Sequence, residues 1–422
     1  MDNRACQFAE KHGLSPDRID LEREAPRMAE EMERGLRGEE CYLTMIPTRL
    51  YIDGALPLGK PAVVIDAGGT NFRAALVSFT GEGAQVKRLC QAKMPGIDAP
   101  AQWEDFIAFT ADMIEPLTPC ADVIGFCFSY SADITPELDG IVKCIDKEVV
   151  IRNSTGKRVC ASLIEELERR GISGKRAVLL NDTAAVLLGG CAGADKTVYS
   201  ALIGQVSGTG TNTCCAIDAG RIGKLSGAAD GRMIVNLESG MYEGISRGDL
   251  DIALDGESEN VGIKQFEKLT AGVYLGALCS IAVRAAAEEG FVSKAAGERV
   301  AALGRIDSAV ADAWACGEGL AELSLAPEDA EFIQSIAKTV IERSAKCMAV
   351  NLAAILLLTG GGKDKPALIC AEGSLVQKSR IYKRALDGYL GAFAAGYGLN
   401  YDYVVGSGST LTGSAAAALL NT

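Results

Sequence analysis

Three short glycine-bearing turns are the first places in this sequence where chemistry could gather: Asp66 to Asn71 (DAGGTN), Ser207 to Gly210 (SGTG) and Glu372 to Ser374 (EGS). Glycine permits left-handed backbone and close approach, so successive N–H groups in such a tip can converge on an anion such as a phosphate. One tip alone says little in a chain with 48 glycines, because turns need glycine for purely structural reasons. Three tips, two of them carrying a threonine (Thr70 and Thr209), say more.

Acidic residues stand beside these tips. Asp66 closes an apolar run just before the first one, where its carboxylate either caps the turn or accepts hydrogen bonds from metal-bound water near phosphates. Asn181 and Asp182 follow the apolar run Ala177 to Leu180, at the strand end where an α/β sheet tends to place ligands. A second reading makes the aspartate the N-cap of a helix over Thr183 to Leu188, and both can hold at once. No Walker lysine motif and no dinucleotide fingerprint in a strand-to-helix context is present, so phosphate binding would have to use paired hairpins. The single histidine, His12, falls in a polar helical stretch and is expected at the surface, and any histidine-based triad would have to use it.

The elements that must position these residues alternate. Met28, Met32 and Leu36 recur at helical spacing in a charged segment of about fifty residues. Ala62 to Ile65 and Arg73 to Phe79 read as strands on either side of the first tip, followed by a helix over Gln102 to Ile114. Strand-like Val123 to Phe128, helical Val159 to Arg169 and strand-like Ala177 to Leu180 continue a mixed sheet covered by helices. The pattern then restarts with strands Tyr199 to Gln205 and Asn212 to Ile217 around the second tip, and a further strand at Met233 to Leu237. Two similar strand-tip-strand units predict a duplicated, two-lobed architecture. From Phe266 onward the chain reads as helical, through Ala285, Val300 to Ala315 and Ala330 to Leu357. A strand at Ala367 to Cys370 precedes the third tip, and Gly406 to Leu420 reads as a turn leading into an alanine-rich helix.

Length and composition set the class. At 422 residues the chain exceeds the size at which a single core usually stops growing. A net charge of −13 opposes attraction to nucleic acid or to an anionic membrane, and no nucleic-acid or membrane partner is expected. The longest apolar runs, such as Leu352 to Leu358, are far shorter than a spanning helix, and no signal-peptide pattern opens the sequence; a cytoplasmic location is expected. The 14 cysteines are scattered and lie mostly in apolar runs such as Ile124 to Phe128, so buried thiols are expected rather than a disulfide framework or a zinc site.

Taken in order, these segments resemble the hexokinase family of the actin-like ATPase fold. Glu31 to Leu50 is similar to the family's helix and Leu-Pro-Thr turn, and DAGGTNFRAALVSF at Asp66 to Phe79 resembles its first phosphate segment. GFCFSYS (Gly125 to Ser131) and GIVKCIDK (Gly140 to Lys147) resemble its sugar-pocket strand and sugar loop, and LLNDTAAVLL (Leu179 to Leu188) its catalytic-aspartate segment. GTGTN (Gly208 to Asn212) resembles the second phosphate segment. VNLESG (Val235 to Gly240) and FEKLTAGVYLG (Phe266 to Gly276) resemble the glutamate-bearing sugar contacts, and AEGSL (Ala371 to Leu375) the adenosine segment.

The resemblance implies an α/β, two-lobed, actin-like (ribonuclease H-like, duplicated) fold with a nucleotide and sugar cleft between lobes. Residues 1–60 would pack on the large lobe, residues 61–183 with 407–422 would form the small lobe, and residues 184–406 the large lobe. It implies an ATP-dependent, Mg²⁺-requiring kinase acting on the primary 6-hydroxyl of glucose or a related hexose. Asp182 would be the general base, and Lys147 would contact both sugar and transferring phosphoryl. Ser129, Asp146, Asn181, Glu238 and Glu267 would hold the sugar. Asp66, Gly68, Gly69, Thr70, Asn71 and Arg73, with Gly208, Thr209 and Gly210, would line the phosphate channel, Arg73 and Asn212 bracing the tips. Gly373 and Ser374 would approach the nucleoside, and Mg²⁺ would be held through ATP phosphates and water near Asp66 and Asp182.

Four differences from the family pattern stand out: Asp146 for a usual threonine, Ser131 for a proline, Ser239 for a common tryptophan, and the pair Ser409–Thr410 for a basic residue and glycine. They leave open a kinase for mannose, fructose or an amino sugar, and a non-catalytic sugar-sensing actin-like protein. Monomer and homodimer are equally open.

Overall fold

In the computed structural model, which describes residues 2–145, 149–225, 227 and 230–422, two mixed sheets repeat one strand pattern. The smaller sheet runs Arg176–Leu180, Val123–Phe128, Pro61–Gly68, Asn71–Thr80, Gly83–Lys93. The larger runs Tyr401–Val405, Ala367–Glu372, Ala201–Ser207, Thr211–Asp218, Arg232–Asn236, with Ile46–Tyr51 added at the far edge. In each, the strand leading into a glycine tip pairs antiparallel with the strand leaving it and parallel with a later strand. The duplicated architecture expected from the two strand-tip-strand units is therefore present strand for strand.

Apolar residues explain the layering. Val63, Ile65, Ala67, Ile124 and Phe126 face a core shared with the helices Trp103–Ile114 and Val159–Arg169. Met28, Met32 and Leu36, one per helical turn along Leu21–Arg37, are fully buried against the 33-residue helix Pro327–Thr359, itself buried along most of its length.

Two helices join the sheets. Asp182–Cys191 packs on Ala201–Ser207 and Ala367–Glu372, whereas Ser409–Asn421 packs on Pro61–Gly68 and Val123–Phe128. They press against one another so closely that a Cβ added at Gly413 would sit 1.8 Å from the Ala185 carbonyl oxygen. Only glycine allows that approach.

Several sequence expectations are corrected. Residues Ile46–Tyr51, read with a helical segment, form an edge strand, because they pair with Arg232–Asn236. Gly83–Lys93 and Tyr401–Val405 are strands that their charged or exposed faces concealed. The stretch Val300 to Ala315 is two helices, Lys294–Ala302 and Ser308–Ala315, separated where Gly304 turns left-handed (φ +66°) and Asp307 caps the second. His12 is buried, not exposed: its Nδ1 lies 2.9 Å from Asp249 and its Nε2 3.2 Å from Glu289, and Phe8, one turn earlier, covers the ring. None of the cysteines is paired in a disulfide. Among the described residues no helix is long and apolar enough to cross a membrane.

Candidate active site

Parallel register brings the first set of polar residues together. Cys127 lies opposite Asp66 on one side and Leu180 on the other, so Asp66, Ser129 and the pair Asn181–Asp182 all emerge at the carboxyl ends of neighbouring strands. That edge is where an open α/β sheet receives ligands.

Asn181, rather than Asp182, caps the helix Asp182–Cys191: its side-chain oxygen accepts the Ala184 N–H at 3.0 Å. The capping role proposed for the aspartate thus falls to its neighbour. Asp182 is the first helical residue, half-buried, with the Thr183 hydroxyl donating to its Oδ1 at 3.0 Å. Its charge is felt on both sides: it helps raise the carboxyls of Asp66 in the smaller sheet and Glu238 beyond the larger one.

Asp66 is not a turn cap. It stands directly across the hairpin from Arg73, whose Nε donates to Asp66 Oδ2 at 3.1 Å and whose Nη2 also reaches it. Burial pushes this carboxyl above its usual range, with Arg73 pulling the other way. The Thr410 hydroxyl completes the knot, donating to Asp66 Oδ2 at 3.0 Å and accepting from Arg73 Nη2 at 3.0 Å. Arg73 is therefore turned toward Asp66. Beyond it the tip holds Gly68, packed on the Ser129 hydroxyl, then Gly69 at φ +72° and exposed Thr70 and Asn71.

The second tip is tied to the third. Gly373 has φ +123°, and a Cβ there would meet the Ser207 carbonyl oxygen at 2.3 Å, while Gly208 lies against Gly373 and Ser374. The Gly208 carbonyl accepts the Gly272 N–H at 2.8 Å, anchoring the tip to the helix Gly272–Glu288, and Thr209 is exposed between its glycines.

Glu238 and Glu267 form the adjoining wall. Glu238 has left-handed backbone (φ +57°) and accepts from Asn236 Nδ2 at 2.6 Å and Asn212 Nδ2 at 3.4 Å. Burial raises its carboxyl, and Asn236 opposes that shift. Asn212 also accepts the Ser239 N–H at 3.2 Å, bracing the turn. Glu267, on the short helix Gln265–Thr270, accepts the Thr211 N–H at 3.4 Å through Oε1, beside Gly210 and Gly240. Ser239 is fully buried below this wall.

Asp146 and Lys147 lie outside the described residues. The other predicted site residues fall on the strand ends and first tip of the smaller sheet, on the two joined tips of the larger sheet, and on the Glu238–Glu267 wall. Four further residues have roles that the sequence reading did not assign. Thr410 acts on Asp66 from far along the chain, and Glu372 accepts the Gly408 and Ser409 N–H groups, both at 2.9 Å, holding the start of Thr410's helix. Asn236 orients Glu238, and Lys264 places its ammonium 3.8 Å from Glu267 Oε2. Only Lys264, three residues before Glu267 at the start of the helix Gln265–Thr270, carried a local sequence signal.

A family model described as hexokinase matches residues 202–420, more than half of the chain, and a second model of the same description matches residues 7–192. Hexokinase-5 of Oryza sativa subsp. japonica is 33% identical over 291 residues, covering 63% of this chain and 55% of that protein. The chain spans little more than half the length of the first curated relatives it matches. A hexokinase from Schistosoma mansoni, solved with glucose, aligns over 99% of this chain and 98% of its own, with a TM-score of 0.79 and 19% identity. A second hexokinase crystal structure gives 0.82 at 21% identity, covering 99% of this chain and 100% of its own. The architecture is the two-lobed, actin-like one, and the chain belongs to the hexokinase family.

Proposed function

We propose that this protein is an ATP-dependent hexose kinase that transfers the γ-phosphoryl group to the primary 6-hydroxyl of glucose or a closely related hexose. The observation that carries the reading is Asp182 just past the carboxyl end of the strand Arg176–Leu180, relieved of capping by Asn181, with its charge raising the Asp66 and Glu238 carboxyls.

In the proposed reaction the sugar oxygen forms a bond to the γ-phosphorus, the bond from that phosphorus to the bridging oxygen breaks, and ADP leaves. Asp182 orients the hydroxyl in line and accepts its proton as charge develops; in a loose transition state the proton leaves late, so a strong base is unnecessary. Sugar hydroxyls both donate and accept, and Ser129, Asn181, Glu238 and Glu267 offer them complementary partners. Backbone amides of Gly68 to Asn71 and Gly208 to Gly210 line the path of the triphosphate, with Gly373 and Ser374 toward the nucleoside. By motif, Lys147 would contact sugar and phosphoryl, with Asp146 next to it in sequence.

Mg²⁺ would arrive with the triphosphate and neutralise charge on its oxygens. Asp66 and Asp182, close enough for one charge to raise the other carboxyl, suit a cation that keeps most of its waters. Closure of residues 61–183 with 407–422 onto residues 184–406 would exclude water that otherwise intercepts the phosphoryl group. The unpaired thiols suit a reducing compartment, and a cytoplasmic location is part of the proposal.

A coupled assay of ADP release across glucose, mannose, fructose and amino sugars tests the reading. Turnover of glucose is expected. Absence of turnover with every hexose at millimolar ATP and Mg²⁺ would leave a sugar-binding, non-catalytic role in its place.

A further inference from the structure

Lys264 brings a positive charge to the Glu238–Glu267 wall. Its Nζ lies 3.8 Å from Glu267 Oε2, its side chain is about one-third exposed, and its charge opposes the rise of the Glu238 carboxyl. The segment that carries it is clamped from behind. Asp255 accepts the Gly262 N–H at 3.1 Å and Gln265 Nε2 at 3.3 Å, and pairs with the buried ammonium of Lys268. Lys264 sits inside that clamped segment with left-handed backbone (φ +56°).

The chemistry of the pair is selective. A carboxylate only accepts hydrogen bonds and an ammonium only donates them. A sugar hydroxyl placed between them satisfies both, donating to Glu267 and accepting from Lys264. A protonated amine at the same ring position satisfies Glu267 but faces Lys264 with like charge. Without the lysine, two neighbouring carboxylates would attract a cationic sugar.

We propose that Lys264 is a specificity-determining residue that favours hydroxyl-bearing neutral sugars over cationic amino sugars, through its placement beside Glu267 on the clamped segment. The proposal rests on the hexose-kinase reading, since sugar hydroxyls must face this wall.

The test compares the wild type with Lys264→Met, Lys264→Gln and Lys264→Arg. For each, kcat/KM and calorimetric Kd are measured for glucose and for analogues in which one hydroxyl is replaced by hydrogen or by a protonated amine, position by position. At one position the preference for hydroxyl over amine should fall at least about tenfold in the Met and Gln variants and return in the Arg variant, with a smaller change in hydroxyl over hydrogen. A merely structural role would weaken all these sugars together. A change in that preference below about threefold at every position overturns the proposal while the kinase reading stands. Sugar binding that shifts as expected without turnover sinks the kinase reading and keeps the role of Lys264. No binding of any sugar overturns both.

Discussion

Asn181 caps the helix that Asp182 begins, accepting the Ala184 N–H at 3.0 Å, so the helix start does not depend on the carboxylate beside it. The cap rests on Asn181 and not on the carboxylate, which makes the proposed base separable by mutation.

Asp182→Asn should lower kcat by about 10²–10⁴-fold, the usual worth of a positioned general base. Sugar affinity by calorimetry and the melting temperature should stay near wild type, because the cap survives. An unchanged kcat would remove Asp182 from the mechanism.

Thr410→Val removes the hydroxyl that joins Asp66 to Arg73 across the start of the helix Ser409–Asn421. Leaving a buried carboxylate one donor short should cost about 1–3 kcal/mol of stability. Denaturant melts should record that loss, accompanied by a higher KM for nucleotide than for sugar relative to wild type.

Glu238→Gln should separate stability from binding. Because burial raises the Glu238 carboxyl, the native state keeps its proton in a pH window where the unfolded chain has released it. Stability from this group is therefore present below the unfolded value and lost as pH rises through the raised native one. At neutral pH the glutamine variant should melt above wild type, with the gap closing as the solution is acidified, while sugar binding weakens. A lower melting temperature at neutral pH would contradict the assigned direction.

Gly373→Ala forces a side chain into left-handed backbone and against the Ser207 carbonyl. Strain of about 1–3 kcal/mol is expected. Since Gly208 lies against the same residue, KM for nucleotide should rise roughly five- to a hundred-fold, with calorimetric sugar affinity little changed.

Much of this was legible beforehand because strand, glycine tip and strand follow one another within short windows. DAGGTN and SGTG declared both hairpins, and NDT after Ala177 to Leu180 declared the strand end where Asp182 stands. What stayed hidden acts across distance or through backbone conformation. Nothing near Thr410 in sequence announces Asp66, and nothing near Glu372 announces the N–H groups of Gly408 and Ser409. The left-handed backbone at Glu238 and Lys264 stands on non-glycine residues, so no glycine in the sequence announces it. Gly83–Lys93 was missed because an exposed edge strand can be polar on both faces. His12 was misplaced because a polar helix face can be buried when carboxylates meet it.

The helix Ser409–Asn421 has a consequence for how the molecule is made. It covers a sheet whose strands begin at Pro61, and Ser414 lies against Gly125. During synthesis that apolar surface must wait, bare, until more than two hundred residues beyond the sheet's last strand have left the ribosome. Such long-range closure slows folding and exposes the nascent chain to wrong partners, so the N-terminal half made alone should need a chaperone or aggregate.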